Sequence, residues 1–257
     1  MHILDELDSV LRELLSHDNR PIVIFSSAWP FFRAIGHANT EVAEELLHVV
    51  INAVGKRSLL MPTFSGGYRN GICDLDSTAS STGILSEAFR RKQGNIRTLS
   101  AFFSFSVRGA AIDEVSDLMP IDAWGDGSIY HWMEHQNVQF LMLGTDPTHC
   151  SYLHRVEWLL RDVIPYRYVK EFDGALRRNG KDIQCREQLF VRCLKPEAEN
   201  DFTALKSLLD SAGMVTTAVQ GVPLALYDAQ QVLRSVLPAM KRDPLLAVIN
   251  KDDFKGY

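Results

Sequence analysis

Val138-Gln139-Phe140-Leu141-Met142-Leu143-Gly144-Thr145-Asp146-Pro147-Thr148-His149-Cys150-Ser151-Tyr152-Leu153-His154-Arg155-Val156-Glu157 sets the architecture of this chain. Residues 138–143 form a largely apolar run of the length and kind seen in strands buried on both faces, and Gly144 ends it. From Ser151 the spacing becomes helical, with Leu153, Val156, Leu159 and Leu160 on one side, which predicts a helix over 151–163. A buried strand, a short polar loop and a helix in this order are the unit of an α/β protein. They deliver the loop's side chains to a sheet edge, where such folds bind ligands.

Working outward, the same grammar recurs. Leu4, Leu7, Leu11, Leu14 and Leu15 predict an amphipathic helix over 3–17. Ile22-Val23-Ile24-Phe25 and Ser58–Met61 predict short buried strands, and Asn39-Thr40 predicts the start of a helix running to Val54. Residues 63–83 are rich in Ser, Thr and Gly and lack periodicity, so they read as a long loop, a length more often functional than not. A helix is expected over 86–92, a strand over 96–107 and a turn at Trp124–Ser128 before a helix over 129–134. Strands are expected over 169–178 and 188–194, and helices over 202–212 and 225–240. The antiparallel look of the pair after residue 165, with no GxGxxG and no GxxxxGK[ST], argues for a mixed sheet rather than a Rossmann fold. No repeat and no linker divides the chain, so a single α/β domain is expected.

Composition narrows the function. Of 257 residues, 46% are hydrophobic and 23% charged, as in globular proteins. Lys and Arg number 27 against 32 Asp and Glu, a net charge of −5, which speaks against general nucleic-acid binding. No stretch is apolar for the roughly 18 residues that a membrane span needs. The first 20 residues carry Asp5, Glu6, Asp8 and Glu13, unlike a signal peptide. Cys73, Cys150, Cys185 and Cys193 form no CxxC pair, which predicts a reducing, cytoplasmic setting.

Three segments carry candidate chemistry. In the first, His154 and Glu157 lie three apart on one helix face. A carboxylate beside an imidazole fixes its tautomer, so the pair reads as a general base with its orienting group. Ser151, one turn earlier, reads as a donor to a developing oxyanion. The same residues also read as a plain helix-surface contact, or, with His149 and Cys150, as metal ligands. Cys150 with His154 as base reads as a nucleophile. In the second segment, Asp74 and Asp76 with Ser77-Thr78 read either as a wall for an amine or hydroxyls or as a solvated turn. In the third, Ser26-Ser27 at a strand end and the helix start after Gly36 read as a seat for a phosphate-bearing cofactor or as an ordinary strand end and cap.

In order along the chain, these segments resemble the aminoglycoside 3-N-acetyltransferase (antibiotic N-acetyltransferase) family, which is distinct from the GNAT acetyltransferases. Ile24-Phe25-Ser26-Ser27 stands where members read valine-histidine-serine-serine. Leu60-Met61-Pro62-Thr63-Phe64-Ser65 is close to leucine-methionine-proline-threonine-phenylalanine-threonine. Asp74 with Ser77-Thr78-Ala79-Ser80 follows the family's loop, and Gly83, Leu85, Glu87, Phe89 and Arg90 follow the helix after it. Arg97-Thr98-Leu99, Ser104–Gly109 and Trp124–Ser128 fit the next strands and turn. Leu153-His154 with Glu157 fits leucine-histidine-x-x-glutamate, preceded by Cys150-Ser151 where members have asparagine-threonine. Pro165-Tyr166-Arg167-Tyr168 and Asp243-Pro244 extend the match over most of the chain.

The resemblance implies one α/β/α domain over 1–257 that transfers an acetyl group from acetyl-CoA to an amine, with no metal. It implies His154 as base, Glu157 as its partner and Ser151 at the thioester carbonyl. Ser26, Ser27, Gly36, Arg97 and Ser104 would hold CoA, and Asp74, Asp76, Thr78 and Asp126 the amine. Ser100-Ala101 and Phe103 replace a histidine-proline and a second histidine of many members, which widens the expected acceptor from an aminoglycoside to amino sugars generally. The chain is expected to act as a monomer or homodimer on small molecules, away from membranes. A member that binds CoA or a sugar without turnover is the alternative.

Overall fold

A computed structural model describes residues 2–119 and 121–254. The strands in chain order are β1 (Ile22–Ser26), β2 (Leu59–Pro62), β3 (Ile72–Asp74), β4 (Ile96–Arg97), β5 (Phe105–Arg108), β6 (Gln139–Leu143), β7 (Arg167–Arg178), β8 (Lys181–Arg192), β9 (Val215–Val219) and β10 (Val222–Asp228). Seven of them form one sheet in the order β4-β5-β2-β1-β6-β10-β9, and β3-β7-β8 form a second. In the large sheet β1 runs parallel to β2 and β6, while β5 and β10 run antiparallel to their neighbours, so the sheet is mixed.

The alternation along β1 explains the layering. Ile22 and Ile24 join one apolar cluster with the helices Ile3–Leu15, Thr40–Val54 and Ile84–Arg90. Val23 and Phe25 join the opposite cluster with the helices Ile129–His135, Leu153–Leu159 and Ala229–Arg242. A strand with partners on both faces needs apolar side chains at every position, which is what Ile22–Phe25 supplies. Leu7, Leu11, Leu46 and Leu47 have no exposed surface, as the helical spacing of these leucines requires.

Where the structure departs from expectation, the cause is local. Residues 225–228 are strand, not helix: Ala225, Leu226 and Tyr227 pair with Met142, Leu141 and Phe140. A short apolar run fits either element, and Asp228 starts the helix by capping Gln231 in a reciprocal box. Residues 96–107 are two strands, because the Ser100 hydroxyl accepts from the Phe102 and Phe103 N–H groups and turns the chain back. The pair after residue 165 is a hairpin of twelve-residue strands, β7 and β8, longer than expected. Asn179-Gly180 closes it with both φ angles positive (53° and 72°), the two-residue turn that twisted hairpins favour. A helix at Trp29–Ile35 follows β1 directly and was not anticipated. Among the described residues, no helix is long and apolar enough to cross a membrane.

Candidate active site

The three parallel strands finish side by side at Ser26, Pro62 and Leu143, and two connected grooves open over these carboxyl ends. The Ser27 N–H donates to the Leu143 carbonyl (2.9 Å), holding the loops after β1 and β6 together. Gly144 makes that approach feasible: its φ is +69°, and a Cβ there would stand 2.6 Å from the Ser27 carbonyl oxygen. One groove, of about 230 Å³, is lined by Ser26, Pro62, Phe64, Thr82, His149 and Ser151 among others. The other, of about 450 Å³, runs outward past Ser27, Trp29, Phe32 and Ser81–Leu85. They share Ser26 and Thr82.

His154 and Glu157 meet as their spacing predicts: His154 Nδ1 lies 2.6 Å from Glu157 Oε2. Glu157 has no exposed surface, and its other oxygen accepts from the Tyr166 hydroxyl and Arg167 Nε, each at 2.8 Å. Burial pushes the Glu157 carboxyl up, but Arg167, His154 and Tyr166 outweigh it and hold the group below its ordinary value. Glu157 is therefore an anion, and as an acceptor 2.6 Å from Nδ1 it favours the tautomer with the hydrogen on Nδ1, while Arg167 Nη2 stands 3.4 Å from the same nitrogen. The edges of Trp124 and Phe202 flank the ring, with centroids 5.7 and 5.5 Å away. Arg155 holds Trp124 in place through its carbonyl (2.6 Å).

Ser151 stands in the inner groove, and its Oγ accepts from the buried Tyr130 hydroxyl (2.9 Å). With that lone pair occupied, the serine's own hydrogen is available to a ligand. Cys150 is a core thiol: it is 3% exposed, and burial pushes it up to about 12, which removes the thiolate a nucleophile needs. His149 lines the inner groove and pairs with Thr145 Oγ1 at 3.0 Å. Among the described residues, no group of three or more His, Cys, Asp or Glu could hold a metal ion.

The other expected site residues divide. Ser26 and Ser27 line the grooves. Gly36 does not; it ends the helix Trp29–Ile35, and Asn39 caps the next one by accepting from Val42 N–H (2.8 Å). Arg97 and Ser104 are buried in one knot. Arg97 donates to the Thr63 and Thr78 carbonyls and to Ser104 Oγ, and burial pushes its guanidinium down to about 10. That knot fixes the loop after β2 from behind. Asp74 folds onto the Asp76 and Ser77 N–H groups, and Asp76 accepts from Asn179 N–H at the hairpin tip while lining a separate cavity with Arg90 and Arg178. Thr78 gives its carbonyl to Arg97. The Asp74–Thr78 part of the loop thus supports the wall, and Ser81, Thr82 and Gly83 form it. The Asp126 side chain is 88% exposed, 3.5 Å from Arg155.

Four contributors were given no role from the sequence, although Tyr166 and Arg167 lie in a stretch that resembles the family. Arg167 and Tyr166 reach Glu157 from the start of the hairpin, and Tyr130 reaches Ser151 from another helix. Glu187 of β8, 3% exposed, accepts from Ser100 Oγ and Ala101 N–H at 2.6 Å and from the Tyr68 hydroxyl at 2.7 Å. Ser100 therefore ties the small sheet to the turn before β5.

Comparison with known proteins gives a consistent picture. The family model described as aminoglycoside 3-N-acetyltransferase matches residues 32–241. No curated protein matches the chain by sequence. Among solved structures, the chain is similar to apo aminoglycoside acetyltransferase AAC(3)-IVa at 19% identity, covering 97% of this chain and 92% of that one, with a TM-score of 0.72. AAC-IIIb in its binary complex with CoASH is 18% identical, over 93% of this chain and 96% of that one, at TM-score 0.75. The YokD protein from Bacillus subtilis is 14% identical over 93% and 99%, at TM-score 0.68.

Proposed function

The chain belongs to the aminoglycoside 3-N-acetyltransferase family, and from that premise we propose that it transfers the acetyl group of acetyl-CoA directly to an amine of an aminoglycoside or related amino sugar, with His154 as general base. Residues 1–257, of which 1, 120 and 255–257 lie outside the described residues, act as one α/β/α domain, neither GNAT nor Rossmann in type. It works in the cytoplasm, as a monomer or homodimer, without a metal. The observation that carries the reading is the His154–Glu157 contact at 2.6 Å, with Glu157 held ionised by Arg167.

The grooves suit the co-substrate. They adjoin at Ser26 and Thr82, present hydroxyls at Ser26, Thr82 and Ser151, and include the apolar Trp29, Phe32 and Leu85 in the second. Those surfaces match a thioester, an amide-bearing arm and a nucleotide. At neutral pH the acceptor arrives as an ammonium. His154 Nε2 removes its proton, directly or through water, and the amine attacks the thioester carbonyl. Ser151 Oγ donates to the oxyanion that forms. As the C–S bond breaks, the imidazolium gives its proton to the departing thiolate, which leaves as CoA, and the nitrogen sheds its second proton to water, so that one proton is released overall for each ammonium acetylated. Glu157 keeps the ring in one tautomer and orientation throughout. Alignment of both reactants over the strand ends supplies the entropic part of the acceleration.

The test is thiol release from acetyl-CoA with a panel of aminoglycosides and amino sugars. His154→Ala is expected to lower kcat by about 10²–10⁴-fold, the usual worth of a positioned base. His149→Ala is expected to keep most of the activity. The reverse pattern makes His149 the base. CoA binding with no amine acetylated would make the protein a non-catalytic binder.

A further inference from the structure

Trp29 is 59% exposed, an unusual position for so large an apolar side chain. It lies on the first turn of the helix that leaves β1, with Pro30 behind it and Phe31 and Phe32 buried below. The helix is thus anchored through two phenylalanines while the indole stays outside, at the wall of the outer groove.

The two grooves differ in what they offer a ligand. The inner one presents Ser26, Thr82, His149 and Ser151. The outer one presents Ser27 and Ser81, then Trp29, Phe32 and Leu85. Neither lining contains a lysine or arginine. A diphosphate in the outer groove would meet no lysine or arginine of its lining, although Arg33, exposed and one turn from Trp29 on the same helix, lies beyond it. At the groove wall itself, the contact on offer to the nucleotide end of a ligand is with its base. An exposed indole beside a groove is a stacking surface for a purine.

Resting on the reading that acetyl-CoA occupies these grooves, we infer that Trp29 is the platform on which the adenine of CoA stacks, and that it selects the full nucleotide over the bare pantetheine arm. The adenine covers the indole face that is now in contact with water, while the arm runs inward past Ser26 and Thr82 toward Ser151.

The test is calorimetric titration with CoA and with pantetheine, which lacks the adenosine and its phosphates, using wild type, Trp29→Ala and Trp29→Phe. Binding is read without any acceptor amine. Trp29→Ala is expected to weaken CoA about tenfold or more, from the usual worth of one base–aromatic stack, and to leave pantetheine unchanged. Trp29→Phe should recover most of the loss. An equal loss for both probes would place Trp29 against the arm and overturn the inference, as would no loss for either. If wild type binds neither probe, the CoA reading itself fails, and this inference with it. Because Trp29 is exposed, its loss should leave the far-UV spectrum and melting temperature intact, separating a binding effect from misfolding.

Discussion

At the scale of single residues, the site works through carboxylate, guanidinium and hydroxyl groups that hold one another. Glu157 is lowered by Arg167, His154 and Tyr166 against its own burial, so its folded value lies below its unfolded one. The stability it contributes is therefore fully present above the unfolded carboxylate value of about 4.3 and is lost as the pH falls through the folded value. Glu157→Gln also strands Arg167, whose side chain is 8% exposed, a loss of about 3–5 kcal/mol for a broken buried pair. Thermal melts between pH 8 and pH 3 should show a large gap between wild type and Glu157→Gln that narrows on acidification. Ser151→Ala should lower kcat by about 10²–10³-fold if the hydroxyl meets the oxyanion. Tyr130→Phe, which leaves that hydroxyl but removes its 2.9 Å donor, should cost much less. Steady-state kinetics on both variants separates donor from orienter. The His154–Glu157 pair was legible because a helix turns three residues into neighbours. Arg167 and Tyr130 were not, because their partners come from other elements. Asp74 and Asp76 were ambiguous, since a turn and a binding wall draw on the same residue types, and their carboxylates accept from N–H groups of the turn and of the hairpin tip.

At the scale of elements, strong periodicity was readable and short apolar runs were not. The helices Ile3–Leu15 and Thr40–Val54 and the strands β1, β2 and β6 stand where their patterns put them. Strand β9 escaped because four of its five residues are exposed, leaving no apolar rhythm. The β10–helix boundary escaped because Ala225–Tyr227 fits either element, although Asp228 with Gln231 carried a capping signal. Asp228 also takes an ion pair from Arg20 at 3.0 Å. Asp228→Ala should therefore destabilise the protein by about 1–2 kcal/mol, chiefly through the lost cap, which urea titration would register as a lower midpoint with unchanged slope. An unchanged midpoint would mean that the helix Ala229–Arg242 is held by packing alone.

At the scale of the whole molecule, both sheets and both helical layers contribute residues to the candidate site. The large sheet supplies Ser26, and the loop and helix after β6 supply Ser151 and His154. The hairpin supplies Arg167, while its far tip is fastened by Arg178 to the Ser116 carbonyl and Asp117. A ligand that binds only this assembled arrangement stabilises it by mass action, by about 2.7 kcal/mol at a hundredfold excess over its dissociation constant. CoA should therefore raise the melting temperature by several degrees, and adenosine alone should not match it. A melting temperature indifferent to CoA would contradict occupancy of the grooves.

The strand order has a further consequence, for how the chain must be made. β1 lies at the middle of the large sheet, but Ile22–Ser26 pairs on one side with Gln139–Leu143, and that strand pairs in turn with β10. A ribosome that has released Ile22–Ser26 must still release residues 27–138 before this second neighbour emerges. Non-local pairing of this kind slows folding. Until β6 arrives, β2 can cover one edge of the apolar Ile22–Phe25 segment but the other edge stays open to other chains, so yield from rapid expression should improve at low temperature or with added chaperone.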